Sequence, residues 1–161
     1  MARRTILMRK LSDMLAPERV SFEPAVASQK QIFERLGELL APATGRAPSL
    51  LAASFAERER LGTTGFGGGI ALPHGRLPGI GASIAALLCL AVPVEWQAVD
   101  GQPVDLLVAL VTGPDAGAGH LQALALVGRT FRDRQLVEKL RGAANADALW
   151  AILDMAEKKA A

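Results

Sequence analysis

The sequence has few of the residues on which many kinds of functional site depend. It contains one cysteine, Cys89, and two histidines, His74 and His120, among 161 residues. A single cysteine excludes an internal disulfide and any zinc site built from several cysteines. A metal site would require carboxylates from several segments to join the two histidines, so we predict none. Cys89 lies in an apolar run, which predicts a small buried side chain in a reducing compartment.

The chain also has few aromatic residues and only a small excess of positive over negative charge. Aromatic side chains make up 4% of the chain and tyrosine is absent, which disfavours binding of single-stranded nucleic acid by base stacking. The formal net charge is +2, from 18 basic and 16 acidic residues. This excess is too small to indicate a nucleic-acid surface. We therefore predict no nucleic-acid partner.

Long apolar helices are missing from the sequence as well. The longest stretch without a charged residue, 77–94, is interrupted by two prolines and two glycines and favours strands over a membrane helix. Near the start, the apolar residues 6–8 are followed directly by Arg9 and Lys10, which is too short for a signal peptide. We therefore predict a cytoplasmic protein without membrane insertion.

The chain does contain enough apolar sequence for a folded core. Half of its residues are hydrophobic and 21% are charged, without repeats or a low-complexity linker. This length predicts a single domain. Helical patterns alternate with short aliphatic runs, so we predict a sheet with helices on both faces, and the long connections also permit a mixed sheet.

Residue spacing predicts the individual elements. The predicted helices cover residues 6–15 (weakly), 29–40 after the N-cap Ser28, 48–61, 119–131, 132–140 and a last segment ending at 155. The predicted strands cover residues 20–22, 70–72, 83–91 and 104–111. Pro42 and Gly45 are expected to end the first long helix, and the tail from Glu157 is expected to fray. In the helix over 119–131, we expect Leu121, Leu124, Ala125 and Val127 to face inward.

The most distinctive chemistry lies around His74. This histidine stands between Pro73 and Gly75, directly after a predicted strand. Arg76 is the only charged residue between positions 61 and 94, and a spacing of two on an extended segment places it on the same face as His74. A cation at this position favours a neutral imidazole and an anion bound beside it.

A Gly-rich loop over residues 63–69 precedes this histidine. It lacks the Lys-Ser/Thr ending of a P-loop and the third glycine of a dinucleotide-binding fingerprint. Its N–H groups and the hydroxyls of Thr63 and Thr64 can still hold an anion, and a flexible turn is the alternative interpretation. The sequence also lacks the Gly-x-Ser-x-Gly elbow of many serine hydrolases.

A second histidine and an arginine can complete the site. His120 begins a predicted helix, and helix N-termini attract anions. Residues at strand ends converge on one edge of an α/β sheet, so His74 and His120 can meet there. With Arg58 they form a set suited to phosphoryl transfer, with a nucleophilic imidazole, a second hydrogen-bonding histidine and a charge-neutralising arginine. Taken singly, each histidine is also compatible with a purely structural role.

Three segments together resemble a known family. They are residues 58–75 (RERLGTTGFGGGIALPHG), 93–110 (PVEWQAVDGQPVDLLVAL) and 120–127 (HLQALALV). The first strongly resembles the signature of enzyme IIA of the bacterial phosphoenolpyruvate phosphotransferase system, in its second (fructose/mannitol-like) structural type. The other two are similar to the nitrogen-regulatory subtype. The similarity covers about residues 11–152. It implies a single enzyme IIA domain over residues 1–161, with a core over about 11–155. The implied fold is an α/β single-domain sandwich with a mixed β-sheet flanked by helices on both faces.

The resemblance implies a role for each residue of the site. His74 would accept a phosphoryl group, as tele-phosphohistidine, from the histidine carrier protein of the system. His120 would be the supporting histidine and Arg58 the phosphate-stabilising arginine, with no metal and no organic cofactor. Thr64 falls where the family has a loop hydroxyl. With it, the predicted phosphate-binding set comprises Thr64, Gly65, Gly67, Gly69 and Arg76.

The subtype implies a regulator more than a conventional enzyme. Such a protein binds targets, for example transporters and sensor kinases, according to its phosphorylation state. The alternatives are a sugar-specific enzyme IIA that passes the phosphoryl group to a IIB domain, and a binding module independent of phosphorylation. Phe66, Gly68 and Gln122 depart from the family pattern, which bears on loop dynamics and partner choice.

Overall fold

A computed structural model describes residues 10–114 and 116–160 of the chain. Two short 3-10 turns, Leu11–Asp13 and Pro17–Arg19, precede the regular elements. The strands are β1 (Val20–Glu23), β2 (Gly65–Gly67), β3 (Ile70–Ala71), β4 (His74–Arg76), β5 (Ile84–Val94) and β6 (Val104–Thr112). The helices are α1 (Gln29–Thr44), α2 (Pro48–Arg60), α3 (Ala118–Phe131), α4 (Arg134–Arg141) and α5 (Ala146–Ala160).

The strands form one mixed sheet in the order β1-β5-β6-β3-β2, with β4 also paired to β6. Strand β6 runs antiparallel to β5 and parallel to both β3 and β4. Strands β3 and β4 therefore lie end to end along β6, and Pro73, which has no N–H to donate, stands at the break between them. The Pro73 carbonyl still accepts a hydrogen bond from the Leu110 N–H, which holds the break against β6.

Helices cover both faces of the sheet, as predicted. Neighbouring residues of β5 alternate between the two cores, with Leu87 packed on the side of α3, α4 and α5 and Leu88 on the side of α1 and α2. Both side chains are fully buried. Strands buried on two faces are continuously apolar, which explains why β5 and β6 are recognisable in the sequence.

Several element boundaries differ from the predictions. Helix α1 continues past Pro42 to Thr44, whose hydroxyl donates to the Leu40 carbonyl, and it ends at Gly45 with φ +67°, as expected for that glycine. Helix α5 extends to Ala160, past the fraying predicted from Glu157, and the Glu157 carboxylate accepts the Ser12 N–H.

Two further predictions, for the Gly-rich segment and for the start of the chain, are wrong. The Gly-rich segment 63–69 contains β2, which pairs with β3 and so is not a loop throughout. Residues 11–13 form a 3-10 turn in place of the weak helix predicted at 6–15, and residues 6–9 of that prediction lie outside the described residues.

The inward face of α3 also differs from the prediction. Leu121 is 65% exposed and Ala125 is exposed, whereas His120, Ala123 and Val127 are buried. Apolar residues occur all round this helix, so their spacing does not define which side faces the core.

None of the helices within residues 10–114 and 116–160 combines the length and the apolar character needed to cross a membrane.

The packing of α3 gives a matched test of this core. Leu126 is 8% exposed and packs against the sheet, whereas Leu121 is on the outer side of the same helix. We expect Leu126→Ala to lower the free energy of unfolding by about 2–5 kcal/mol. Leu121→Ala should change it by less than about 0.5 kcal/mol. Urea unfolding of both variants measures the difference, and equal losses would contradict the observed orientation of α3.

Candidate functional site

A cleft of about 650 Å³ opens where α2, β4 and the first turn of α3 meet. Its lining residues are Leu50, Ala53, Ser54, Glu57, Arg58, Leu61, His74, Gly75, Arg76, Leu77 and His120. The cleft therefore contains both histidines of the chain and two arginines. The sequence predicted all four of these residues as site residues.

The sheet topology brings the two histidines together. Strand β4 is parallel to β6, with His74 opposite Leu110 and Arg76 opposite Thr112. Helix α3 starts six residues after β6 ends, at the edge where both strands finish, and His120 lies in its first turn. The two ring centroids are 5.6 Å apart, with an angle of 47° between the ring planes.

The proton position on His74 follows from its hydrogen bonds. Its Nδ1 lies 2.8 Å from the Leu72 carbonyl oxygen, which can only accept, so Nδ1 carries the proton and donates. The Nε2 atom accepts a hydrogen bond of 3.1 Å from the Arg58 Nε–H. The lone pair of this imidazole is therefore on Nε2, which makes Nε2 its nucleophilic nitrogen.

The pKa of each histidine lies below its ordinary value. For His74, burial lowers the pKa, and the Arg58 and Arg76 cations lower it further against the opposing effects of the Leu72 hydrogen bond and the Glu59 carboxylate. For His120, burial again has the largest effect, followed by Arg76 and then His74. Both rings are therefore neutral at neutral pH, which is the form that can attack an electrophile.

Arg58 is held in place by two hydrogen bonds. In addition to the bond from its Nε to His74, its Nη1 donates to the Gly62 carbonyl oxygen at 2.9 Å. The last turn of α2 can reach His74 because Gly75 lets the helix approach β4 closely. A Cβ at this glycine would collide with the Ser54 hydroxyl on α2.

His120 is buried and hydrogen-bonded below the cleft. The residue is 5% exposed, and its Nδ1 lies 2.8 Å from the hydroxyl oxygen of Thr112, which is fully buried. This hydrogen bond joins the first turn of α3 to the last residue of β6. It leaves Nε2 as the nitrogen of His120 that is not engaged by Thr112.

Four of the five residues predicted to bind phosphate lie outside the cleft lining. Thr64 is buried, and its hydroxyl and N–H both donate to the Glu59 carboxylate, at 2.5 and 3.0 Å. Gly65 packs against Trp96 and Ala98. The structure does not bring Thr64 or Gly65 into the cleft lining; Thr64 instead ties the end of α2 to β2.

Gly67 and Gly69 also lie apart from the histidines. A Cβ on Gly67 would contact Asp100, and a Cβ on Gly69 would collide with Arg141, which pairs with Asp105. The pairing of β2 with β3 places these glycines in the hairpin and not in the cleft. Of the predicted phosphate-binding set, only Arg76 lines the cleft.

Three contacts in and beside the site were not found from the sequence. Leu72 acts through its backbone carbonyl, which gives no signal in its residue type. Thr112 could have been noticed, because it is a hydroxyl residue at the end of the otherwise aliphatic run 106–111. Glu59, which holds Thr64, lies within the segment that resembles the family, but its contact depends on the turn after α2.

Comparison with known proteins decides the family. Residues 13–156 match the family described as "Phosphoenolpyruvate-dependent sugar phosphotransferase system, EIIA 2". The chain belongs to this family. The resemblance inferred from the sequence is therefore confirmed.

Members of the EIIA 2 family similar to this chain include nitrogen regulatory proteins. The chain is 36% identical over 151 residues to one from Bradyrhizobium diazoefficiens, covering 94% of this chain and 99% of the relative. It is 37% identical over 150 residues to one from Pseudomonas aeruginosa, covering 91% and 96%. The crystal structure of the nitrogen regulatory protein IIA-Ntr from Neisseria meningitidis superimposes with a TM-score of 0.80 at 31% identity, covering 88% of this chain and 97% of that one. This similarity confirms the predicted fold class.

The cations of the cleft give a prediction about the pKa of His74. Because the Arg58 cation disfavours imidazolium, Arg58→Ala should raise the pKa of His74 toward its ordinary value of about 6.5. NMR titration of the two histidines measures the change. Arg129→Ala is the matched control, since Arg129 is an exposed cation on α3, the helix of His120, and is not part of the cleft lining. An unchanged or lower pKa of His74 in Arg58→Ala would contradict the proposed electrostatics of the cleft.

Proposed function

We propose that this protein is a phosphoryl carrier that accepts a phosphoryl group on Nε2 of His74 and regulates target proteins according to its phosphorylation state. The donor would be the histidine carrier protein of the phosphotransferase system, in the cytoplasm. The observation that carries the proposal is the Leu72 hydrogen bond, which leaves the lone pair of His74 on Nε2. Similarity to nitrogen regulatory proteins supports the regulatory role.

The transfer step needs only groups that the cleft and the donor supply. The Nε2 lone pair of His74 attacks phosphorus, a new N–P bond forms, and the N–P bond to the donor's imidazole breaks. The departing imidazole keeps the electron pair of the broken bond. His74 retains its proton on Nδ1, which continues to donate to the Leu72 carbonyl and stabilises the positive charge of the phosphorylated ring.

Arg58 has two successive partners in this step. Its Nε–H occupies the Nε2 lone pair of His74 before transfer, and the new N–P bond uses that lone pair. The planar guanidinium can then donate to phosphoryl oxygens through its fork of N–H groups. Arg76 adds a second cation, and it has no ion pair or side-chain hydrogen bond with any residue in the described part of the chain.

Exposed apolar residues surround the histidines and supply a docking surface. Leu50 is 50% exposed and Leu61 is 81% exposed, and both line the cleft. Leu121, which follows His120, is also exposed. Phosphorylation would add about −1.5 to −2 charges in the middle of this surface. A partner that covers it should therefore favour one state by about 1–3 kcal/mol.

The proposal predicts where the phosphoryl group is attached. We incubate the full chain with phosphoenolpyruvate, the first enzyme of the system and the carrier protein, and map the modification by mass spectrometry without acid. Phosphate should be found on His74, and NMR of the product should place it on Nε2. His74→Ala should fold normally and remain unlabelled. Phosphate on His120 with His74 unmodified would refute the assignment.

The regulatory role gives a separate prediction about partners. Unmodified protein, phosphorylated protein and His74→Ala are used to capture proteins from a cell extract of the source organism. We expect partners that bind the phosphorylated and unmodified forms differently, with His74→Ala behaving as the unmodified form under both conditions. Transfer of the phosphoryl group to a IIB domain and then to a sugar, without such partners, would instead show the sugar-specific alternative. Identical capture by all forms would support a binding module independent of phosphorylation.

A further inference from the structure

The hydrogen bond between Thr112 and His120 has a direction that can be worked out. Thr112 is fully buried, and within residues 10–114 and 116–160 its hydroxyl has one partner, Nδ1 of His120 at 2.8 Å. A threonine hydroxyl has one proton to donate and two lone pairs with which to accept. A neutral imidazole offers either an N–H or a lone pair at Nδ1, so two arrangements are possible at this contact.

The two arrangements differ in which polar group is left without a partner. If Nδ1–H donated to Thr112, the buried hydroxyl proton would have no acceptor among the described residues. If the hydroxyl donates to Nδ1, both lone pairs of the hydroxyl oxygen are unused, but no donor is left without a partner. Orphaned donors are rarer in protein interiors than under-used acceptors, because a buried N–H or O–H without a partner bears its full desolvation penalty. The hydroxyl is therefore the donor.

We propose that Thr112 is a positioning residue that holds His120 in the tautomer with its proton on Nε2. This inference rests on the proposed function, since the Nε2–H of His120 would donate to the phosphoryl group on the neighbouring His74. Thr112 itself would not contact the phosphoryl group. Its effect is to decide whether His120 offers that group a proton or a repelling lone pair.

The two histidines thus have opposite tautomers, set by two different oxygens. The Leu72 carbonyl can only accept, so it fixes the proton of His74 on Nδ1 and leaves Nε2 as the nucleophile. The Thr112 hydroxyl donates, so it fixes the proton of His120 on Nε2. One ring supplies the attacking nitrogen and the other supplies the hydrogen-bond donor. The lowered pKa of both rings supports a single proton on each.

The tautomers can be read directly from the unphosphorylated protein. The untagged chain labelled with ¹⁵N-histidine contains only two imidazoles, which makes long-range ¹H–¹⁵N correlation spectra simple to assign. We expect His120 to be protonated on Nε2 and His74 on Nδ1 at neutral pH. Protonation of His120 on Nδ1 in the wild-type chain would overturn the inference.

Substitutions at Thr112 test the effect on transfer. Thr112→Val keeps the shape but removes the hydroxyl, and we expect it to abolish the single tautomer of His120 and to slow phosphoryl transfer to His74 roughly two- to tenfold. Thr112→Ser retains the hydroxyl and should resemble the wild type in both measurements. Thr130→Val is the matched control, because Thr130 lies on α3 and its hydroxyl donates to the Leu126 carbonyl, away from the cleft.

The outcomes separate this inference from the proposed function. An unlabelled wild-type His74 would refute the phosphoryl-carrier role, and the tautomer of His120 would still be measured on the same protein. A Thr112→Val variant with the wild-type tautomer and the wild-type transfer rate would overturn the role of Thr112 and leave phosphorylation of His74 intact. A loss of rate shared by Thr112→Val and Thr130→Val would show general damage to α3 and would also overturn it.

Discussion

The hydrogen bond from His74 Nδ1 to the Leu72 carbonyl is the contact on which the chemistry of the cleft depends. It fixes the tautomer of His74 and the orientation of its ring, so that Nε2 faces the Arg58 guanidinium. The contact exists because Pro73 interrupts the strand between the two residues. The interruption leaves the Leu72 carbonyl free to accept from a side chain, while the pairing of β4 with β6 holds His74 in place.

Burial and charge act in the same direction in this cleft. Desolvation and the Arg76 cation lower the pKa of both imidazoles, and the Arg58 cation lowers that of His74 further. In the proposed transfer, the same cations would favour the phosphoryl group. The arrangement requires α2 to pack closely on β4, which Gly75 permits beside Ser54. The cleft therefore combines a nucleophile and its counter-charges on elements fixed by the sheet and its two helical layers.

The sequence predicted the parts of the protein that depend on local pattern. Aliphatic runs predicted β5 and β6, three segments of the sequence predicted the family, and the patterns around His74 and His120 predicted four residues of the cleft. Sequence patterns failed where packing decides. The outward position of Leu121 follows from how α3 lies on the sheet. Thr64 was expected near phosphate from its place in the Gly-rich loop, but its hydroxyl donates to Glu59, a contact that depends on the turn after α2. The tautomers of the histidines depend on a backbone carbonyl and a buried hydroxyl, which only three-dimensional contacts can show.

In the unphosphorylated protein, the nucleophilic nitrogen of His74 is already engaged by a side chain of the same cleft, because Arg58 donates a hydrogen bond to Nε2. The guanidinium donates to the Nε2 lone pair and lies beside the place where negative charge would appear in the proposed transfer. In the proposed reaction, Arg58 exchanges one hydrogen-bond acceptor, Nε2 of His74, for another, the phosphoryl oxygens. The pairing of β4 with β6 would hold the backbone of β4 in place throughout. Phosphorylation would thus change the contacts of only a few side chains in the cleft. A partner that distinguishes the two forms would therefore have to contact the cleft itself.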